Sequence, residues 1–393
     1  MLKAIYTFPG VALGGPVVMD GSGALYGVMF AGGPGAYGDV YRLTPPAKGT
    51  VWTETTLYSF TPSPHYPRGP LAIGPTGAIF GTAQAGGHAN KGSCNPGGCG
   101  GVFELLPPKI AGGSWTYRNI HLFSGGTDGG NPLSGVVLSA SGIVYGTTNT
   151  GGTFGKGTVF QLTPPATPTG IWSETVIHTF GGTGDGSYPS TRPTIMPSGA
   201  LVGTTGAGGA AGAGTVFELA PPATPSGSWV ENTLYSFSGP ADGNESEASL
   251  LLSSTGALFG TTLRGGGAAN DGTVFKLTPP AGGSGSWTES VLYRFNGGAA
   301  GSFPGEILAT DATGALYGST FWGSTHNFGA AFKLIPPTAG ATRWTASVLH
   351  VFAGGADSTN PSWGLTSDGA GGFYGISNGT GVAYPAVVYR ITQ

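Results

Sequence analysis

Two tryptophans, Trp322 and Trp363, stand outside a spacing that the other six tryptophans of the chain keep. An indole in an exposed loop can stack on the C–H face of a sugar ring while polar neighbours bond the sugar hydroxyls. The two indoles therefore predict a carbohydrate site, and indoles that only fill gaps between loops are the alternative. The polar residues that we assign to the same site are Arg264, His326, Glu306 and Arg192.

A second set of residues has the chemistry of an eliminative enzyme. His65 and Arg68 lie three residues apart, and His88 lies in an inserted loop of the same region. A polysaccharide lyase needs a cation beside the uronate carboxylate and a base such as histidine for the α-proton. Glu247 and Glu306 also suit a glycosidase pair, for which their separation would decide. Catalysis by a lyase or a glycoside hydrolase is therefore an alternative to binding.

The two cysteines of the chain, Cys94 and Cys99, are separated only by Asn-Pro-Gly-Gly. Such a pair predicts a disulfide and hence an extracellular or cell-surface location, and a zinc site with His88 is the alternative. The chain runs from Met-Leu-Lys directly into strand-like sequence, so we expect a signal peptide to be absent from it.

The elements that position these residues form a tandem repeat. The run Gly-Thr-Val-Phe at residues 157–160 recurs at 214–217 and 272–275, and degenerate copies bring the total to seven. Successive copies are 57 or 58 residues apart, with one spacing of 62. The six tryptophans that keep the same spacing are Trp52, Trp115, Trp172, Trp229, Trp287 and Trp344.

Each repeat contains four short strand-like segments, which in the third repeat are 135–139, 143–148, 158–163 and 172–180. Four antiparallel strands repeated seven times predict an all-β, seven-bladed β-propeller, and a β-solenoid is the rival architecture. The seventh repeat stops after three strands, so we expect residues 3–8 to supply its fourth strand and close the ring.

We predict one domain over residues 1–393. The predicted blades are about 14–60, 68–123, 133–180, 190–237, 247–295, 305–352, and 362–393 together with 1–8.

The aligned repeats share Leu-Tyr-Gly-Thr-Thr, Gly-Gly, Gly-Thr-Val-Phe-x-Leu, Pro-Pro, Trp and Leu-Tyr-Ser-Phe. This pattern resembles the GloVer tandem repeat, first noted in Gloeobacter and Verrucomicrobia proteins. The resemblance implies a secreted or surface protein of a bacterium. It implies no activity, because the family brings no general catalytic motif.

Repeat position also suggests structural roles for several polar residues. Three histidines replace the tyrosine of the Leu-Tyr-Ser-Phe run, so we interpret them as residues of the fourth strand: His121, His178 and His350. Four aspartates share one place in the following loop, where an aspartate bonds its own turn; calcium binding is their alternative role. They are Asp128, Asp185, Asp242 and Asp357.

Composition excludes several functions. Only 8% of residues are charged and the net charge is -3, so the chain lacks the basic surface that nucleic-acid binding needs. No apolar run approaches the roughly 20 residues of a transmembrane helix. No nucleotide or hydrolase motif occurs, and we expect no cofactor and no metal. The leading partner is a polysaccharide or surface glycan. Self-association, as a structural subunit of a sheath or filament, is the remaining alternative.

Overall fold

The computed structural model is built from short β-strands and two single-turn 3₁₀ segments, Ala281–Gly283 and Gly355–Asp357. It describes residues 2–88, 94, 97–110, 112–167, 170–181, 184–224, 227–283, 285–338, 341, 343–361, 363–379 and 385–392. The strands form seven sheets with four principal strands each, so the chain has the predicted fold of a seven-bladed β-propeller. No helical segment in these described ranges has the length and apolarity needed to cross a membrane.

The chain divides into two compact units. The first unit is Met1–Ala12, Thr204–Phe217 and Thr233–Gln393, and the second is Leu13–Gly203 and Glu218–Asn232. That the whole chain folds as one domain remains a prediction.

The first three sheets follow the order of the repeats. Their strands are β2 (Ala12–Leu13), β3 (Val18–Met19), β4 (Leu25–Ala31), β5 (Asp39–Thr44) and β6 (Thr53–Ser59); β7 (His65–Ile73), β8 (Ile79–Ala85), β9 (Gly101–Leu106) and β10 (Thr116–Leu122); and β11 (Val137–Leu138), β12 (Val144–Thr148), β13 (Thr158–Thr163) and β14 (Ser173–Thr179).

A two-stranded ladder accompanies the fourth sheet. Its strands are β16 (Thr194–Ile195), β17 (Leu201–Thr205), β19 (Thr215–Ala220) and β20 (Val230–Ser236), and the ladder joins β15 (Gly186–Ser187) to β18 (Ala207–Gly208).

The last three sheets belong to the first unit. Their strands are β21 (Leu251–Leu252), β22 (Leu258–Thr262), β23 (Thr273–Thr278) and β24 (Thr288–Arg294); β25 (Ser302–Pro304), β26 (Ala309–Thr310), β27 (Leu316–Trp322), β28 (Ala330–Ile335) and β29 (Thr345–Val351); and β30 (Leu365–Ser367), β31 (Gly372–Ser377), β32 (Ala386–Thr392) and β1 (Leu2–Phe8).

The N-terminal strand completes the seventh sheet, as predicted. Strand β1 pairs antiparallel with β32, from Leu2 opposite Ile391 to Phe8 opposite Ala386. Phe8 is buried, whereas Lys3 and Thr7 face solvent. The strand therefore contributes one apolar side to the core and one polar side to the surface, as a half-buried strand does.

The Gly-Thr-Thr and Gly-Thr-Val-Phe runs form the inner strands of each sheet. In the third sheet the Thr148 and Thr158 hydroxyls are 2.8 Å apart, so one donates a hydrogen bond to the other inside the blade. The Thr147 hydroxyl donates to the carbonyl oxygen of Thr191 at 2.8 Å and so ties the third repeat to the start of the fourth. The fifth repeat has the same bond, from Thr261 to Gly305. Periodic threonines thus form hydrogen bonds within a sheet and between neighbouring repeats.

The periodic tryptophans pack between neighbouring sheets, which agrees with the structural role predicted for them. The Trp172 ring lies 5.9 Å from Phe80, edge to face, and Trp229 makes the same contact with Tyr145 at 5.9 Å. Each contact joins the residue before the fourth strand of one repeat to the second strand of the preceding repeat.

In two repeats the histidine of the fourth strand bonds the aspartate of the following loop. His178 Nε2 lies 3.2 Å from Asp185 Oδ2, and the same carboxylate accepts the Gly181 N–H at 3.1 Å. His350 and Asp357 repeat the contact at 2.8 Å. In these two repeats the contacts agree with the predicted structural roles, because the aspartate fixes the loop that follows the strand.

Two glutamates of the fourth strands are partly buried beside leucines. Glu174 lies opposite Leu162, and Glu289 lies opposite Leu277. Burial, with a smaller contribution from Asp128, raises the pKa of Glu174 to about 7. Burial also raises the pKa of Glu289 to about 7.

A carboxyl group with a raised pKa makes stability fall as pH rises. Between the ordinary pKa of 4.5 and about 7, the folded state holds a proton on Glu174 that the unfolded state has lost. We expect Glu174→Gln to raise the free energy of unfolding at pH 8 by roughly 1 kcal/mol, since solvent screens a half-buried charge, and to change it little at pH 4. Denaturant unfolding at both pH values measures this.

Glu218→Gln on β19 is the control, because it removes a carboxylate that accepts a bond from the exposed Asn232 amide at 3.4 Å. Equal effects of the two substitutions at pH 8 would contradict the assignment to Glu174.

Candidate functional site

A cavity of about 290 Å³ opens in the first unit, where the fifth and sixth sheets adjoin. Its walls are mainly apolar, with charged groups among aromatic rings. The lining residues are Glu247, Thr261, Leu263, Arg264, Phe303, Pro304, Gly305, Glu306, Phe321 and Trp322.

Strand ends position the aromatic and cationic groups of this cavity. Trp322 is the last residue of β27 and pairs with Ser302 of β25, which places Phe303 beside it in the neighbouring strand. Arg264 follows β22 by two residues and holds the same repeat position as Trp322. Because consecutive repeats deliver equivalent positions to adjacent sheets, the indole and the guanidinium reach one cavity.

The Arg264 side chain is fixed by groups from both repeats. Its Nε donates to Glu245 Oε2 at 3.0 Å, and its guanidinium lies over the Phe303 ring, 5.3 Å from the centroid. Glu245 and Phe303 both have left-handed backbones, with φ of 54° and 55°. The equivalent residues of four other repeats share this conformation, so it belongs to the repeat: Tyr66, Asn131, Tyr188 and Asn360.

Trp322 is the exposed aromatic group at this cavity. It is 40% exposed, and its ring packs edge to face against Phe321 with the centroids 4.9 Å apart. The exposed part of the indole is available to a ligand. An exposed indole beside polar groups is suited to contact with a sugar ring.

Two carboxylates line the same cavity. Glu247 and Glu306 are both partly exposed, and the backbone carbonyl of Glu306 accepts the Ser249 N–H at 2.9 Å. Carboxylate oxygens accept hydrogen bonds from sugar hydroxyls and attract cationic groups. The cavity thus combines stacking surface, hydrogen-bond acceptors and one oriented guanidinium.

Sequence comparison assigns the chain to a family. Residues 94–308, more than half of the chain, match the model of the Gloeobacter/Verrucomicrobia repeat. The chain belongs to this repeat family. No curated protein sequence matches it.

Solved structures similar to this repeat protein are also propellers at low sequence identity. A periplasmic gluconolactonase of Pseudomonas aeruginosa has 14% identity and a TM-score of 0.50, covering 98% of this chain and 99% of its own. A putative 6-phosphogluconolactonase of Bacteroides uniformis has 13% identity and a TM-score of 0.49, covering 84% and 83%. The first of these likenesses supports the fold alone.

Of the residues predicted to bind a ligand, three line the cavity of the repeat protein: Arg264, Glu306 and Trp322. The expectation of two exposed indoles is wrong for Trp363, which is only 7% exposed. A side chain so enclosed has no ring face to offer a sugar, because neighbouring atoms already cover it. Position outside the repeat identifies an unusual residue but does not distinguish a loop filler from a ligand contact.

The other two predicted ligand contacts lie elsewhere. His326 is exposed in the loop between β27 and β28, outside the cavity walls. Arg192 belongs to the second unit, and burial lowers the pKa of its guanidinium. A ligand role for these two residues stays a prediction.

The residues of the predicted eliminative set lie in the second unit, where two of them make packing contacts. His65 Nδ1 is 2.7 Å from the carbonyl oxygen of Pro62, and the His65 ring lies 4.3 Å from Tyr66. Arg68 Nη1 donates to Gln84 Oε1 at 3.1 Å. His88 is exposed. The catalytic roles suggested for His65, Arg68 and His88 stay predictions.

The predicted disulfide is confirmed. Cys94 and Cys99 are bonded, with their Cα atoms 5.0 Å apart, and Cys99 is fully buried.

The sequence analysis did not identify two aromatic residues of the cavity, Phe303 and Phe321. Phe303 carried a signal, because it precedes a proline at a position where other repeats place Tyr66 and Tyr188.

Proposed function

We propose that this protein is an extracellular carbohydrate-binding module and that the cavity between the fifth and sixth sheets is its binding site. The observation that carries the proposal is the exposed Trp322 indole at the rim of a cavity that also contains Arg264, Glu247 and Glu306. The disulfide supports an oxidising location, where glycans are present.

A glycan array with the purified chain tests the proposal. For each glycan bound, we expect Trp322→Ala to weaken binding tenfold or more, in line with burial of a large apolar side chain at roughly 1 to 3 kcal/mol. Titration calorimetry of the wild type and the variant measures the loss.

Trp172→Ala is the matched control, because Trp172 packs against Phe80. We expect it to lower the melting temperature and leave the affinity at the cavity unchanged. Glycan binding that Trp322→Ala does not affect would overturn the proposed site.

Glycoside hydrolysis is the second candidate function, since Glu247 and Glu306 line the same cavity. Incubation with each bound glycan, followed by detection of new reducing ends, separates hydrolysis from binding. If Glu306→Gln loses that product but still binds, the chain is a hydrolase. If no bound glycan yields product, the chain binds glycans without hydrolysing them.

A further inference from the structure

We propose that Arg192 is the centre of an anion site in the second unit and that the site takes a small oxyanion, the carboxylate of an acidic sugar or a free phosphate. Arg192 does not line the cavity described above. The inference therefore goes beyond the proposed function and does not depend on it.

Arg192 lies where neighbouring repeats of the second unit come together. It precedes β16, an edge strand of the fourth sheet, by two residues. Its backbone N–H donates to Ser134 Oγ of the third repeat at 2.9 Å. The first three repeats have Pro16, Pro70 and Gly135 at the same position. The packing of a sheet therefore does not require an arginine there.

The Arg192 guanidinium has no partner within the described part of the chain, because no group there forms a hydrogen bond or an ion pair with it. Burial lowers the pKa of the guanidinium, yet the residue is partly exposed, so the group is enclosed but still reached by solvent. An enclosed charge without a partner is costly, and a guanidinium stays protonated in proteins. The surroundings of Arg192 therefore favour a ligand that brings negative charge.

Two serine hydroxyls near Arg192 add hydrogen-bond donors. Ser190 Oγ is buried and has no hydrogen-bond partner in the described ranges. Ser190 and Arg192 are partly exposed whereas Thr191 between them is buried, which places the first two side chains on the same side of the segment. Ser134 Oγ accepts the Arg192 N–H, so the proton of this hydroxyl remains to be donated. One cation with two donor hydroxyls has the chemistry of an oxyanion site.

A carboxylate and a phosphate share the feature that such a site recognises. The planar guanidinium donates two parallel hydrogen bonds to two oxygens of either group, and a hydroxyl donates to one of these oxygens as well. A neutral sugar brings no charge to offset that of Arg192. The ligand is thus an oxyanion, and the experiment must distinguish its two sources.

Melting temperatures with matched ligands test the site. Galacturonate is compared with galactose, which lacks the carboxylate, and phosphate is compared with sodium chloride at equal ionic strength. We expect at least one anion to raise the melting temperature of the wild type above its control, saturably and by on the order of 2–3 °C. An effect of galacturonate alone assigns the site to acidic sugars, and an effect of phosphate alone assigns it to the free anion. Effects of both show that the site recognises the oxyanion itself.

Substitutions assign the effect to the site. Arg192→Gln should remove the anion-dependent rise and leave the melting temperature in ligand-free buffer unchanged or higher, because it removes an enclosed charge. Arg192→Lys should weaken anion binding at least roughly fivefold, since an ammonium lacks the paired donors of the guanidinium. Ser190→Ala should also weaken it, by roughly fivefold. Arg343→Gln, at an exposed arginine, is the control.

The inference fails if neither anion raises the melting temperature above its control, or if the rise survives Arg192→Gln. A lower melting temperature of Arg192→Gln in ligand-free buffer would give Arg192 a structural role and would also overturn the anion site. These outcomes leave the proposed carbohydrate binding intact, because that function is tested separately by Trp322→Ala.

Discussion

Deletion of residues 1–9 is expected to lower the melting temperature by on the order of 10 °C. The deletion removes β1, which pairs with β32 along its whole length and buries Phe8 against the seventh sheet. Loss of one buried phenylalanine alone costs about 3–5 kcal/mol, and the ladder bonds to β32 are lost with it. The exposed edge of β32 should also promote aggregation. Thermal unfolding followed by circular dichroism measures the first effect, and light scattering measures the second.

Two single substitutions in the same strand make this result specific. Phe8→Ala should reproduce a large part of the loss, whereas Thr7→Ala, on the solvent side, should leave the melting temperature unchanged. A truncated chain that melts like the wild type would show that the seventh sheet does not depend on β1.

The fold could be predicted because the same pattern of strand-like segments recurs seven times in the sequence. Strand positions came from the periodic Gly-Thr-Val-Phe run, and the pairing of β1 with β32 came from the fourth strand that the last repeat lacks. The short strand β25 was not predicted, because Ser-Phe-Pro has no alternation long enough to identify a strand. It matters, since β25 places Phe303 beside Trp322.

The candidate site was predicted only in part. Trp322 and Arg264 were identified because they depart from the repeat pattern. They occupy equivalent positions in neighbouring repeats and line one cavity. The same criterion selected Trp363, which is buried. Periodicity reports which residues are unusual, but burial depends on neighbouring loops that have no period. The ion pair between Arg264 and Glu245 could not be predicted from the sequence either, since 19 residues separate the two.

The largest effect of a single core substitution is expected where a strand glycine faces an aromatic ring. Gly146 lies opposite Phe160, and a Cβ atom at Gly146 would be 2.5 Å from Phe160 Cζ. Phe160 is fully buried and packs against Phe123 at 5.1 Å. We expect Phe160→Ala to lower the free energy of unfolding by about 3–5 kcal/mol. We expect Gly146→Ala to lower it by about 1–3 kcal/mol, because the ring must shift.

The two effects should not add, and a double-mutant cycle by denaturant unfolding measures the difference. Once Phe160 is alanine, the space beside Gly146 is open, so Gly146→Ala should cost nothing or stabilise the strand slightly, since alanine suits a strand interior better than glycine. Gly21→Ala is the control, because its Cβ would meet no atom within 4 Å, and we expect it to be neutral. An equal cost of Gly146→Ala in both backgrounds would mean that backbone freedom, and not the approach of the Phe160 ring, selects glycine at this strand position.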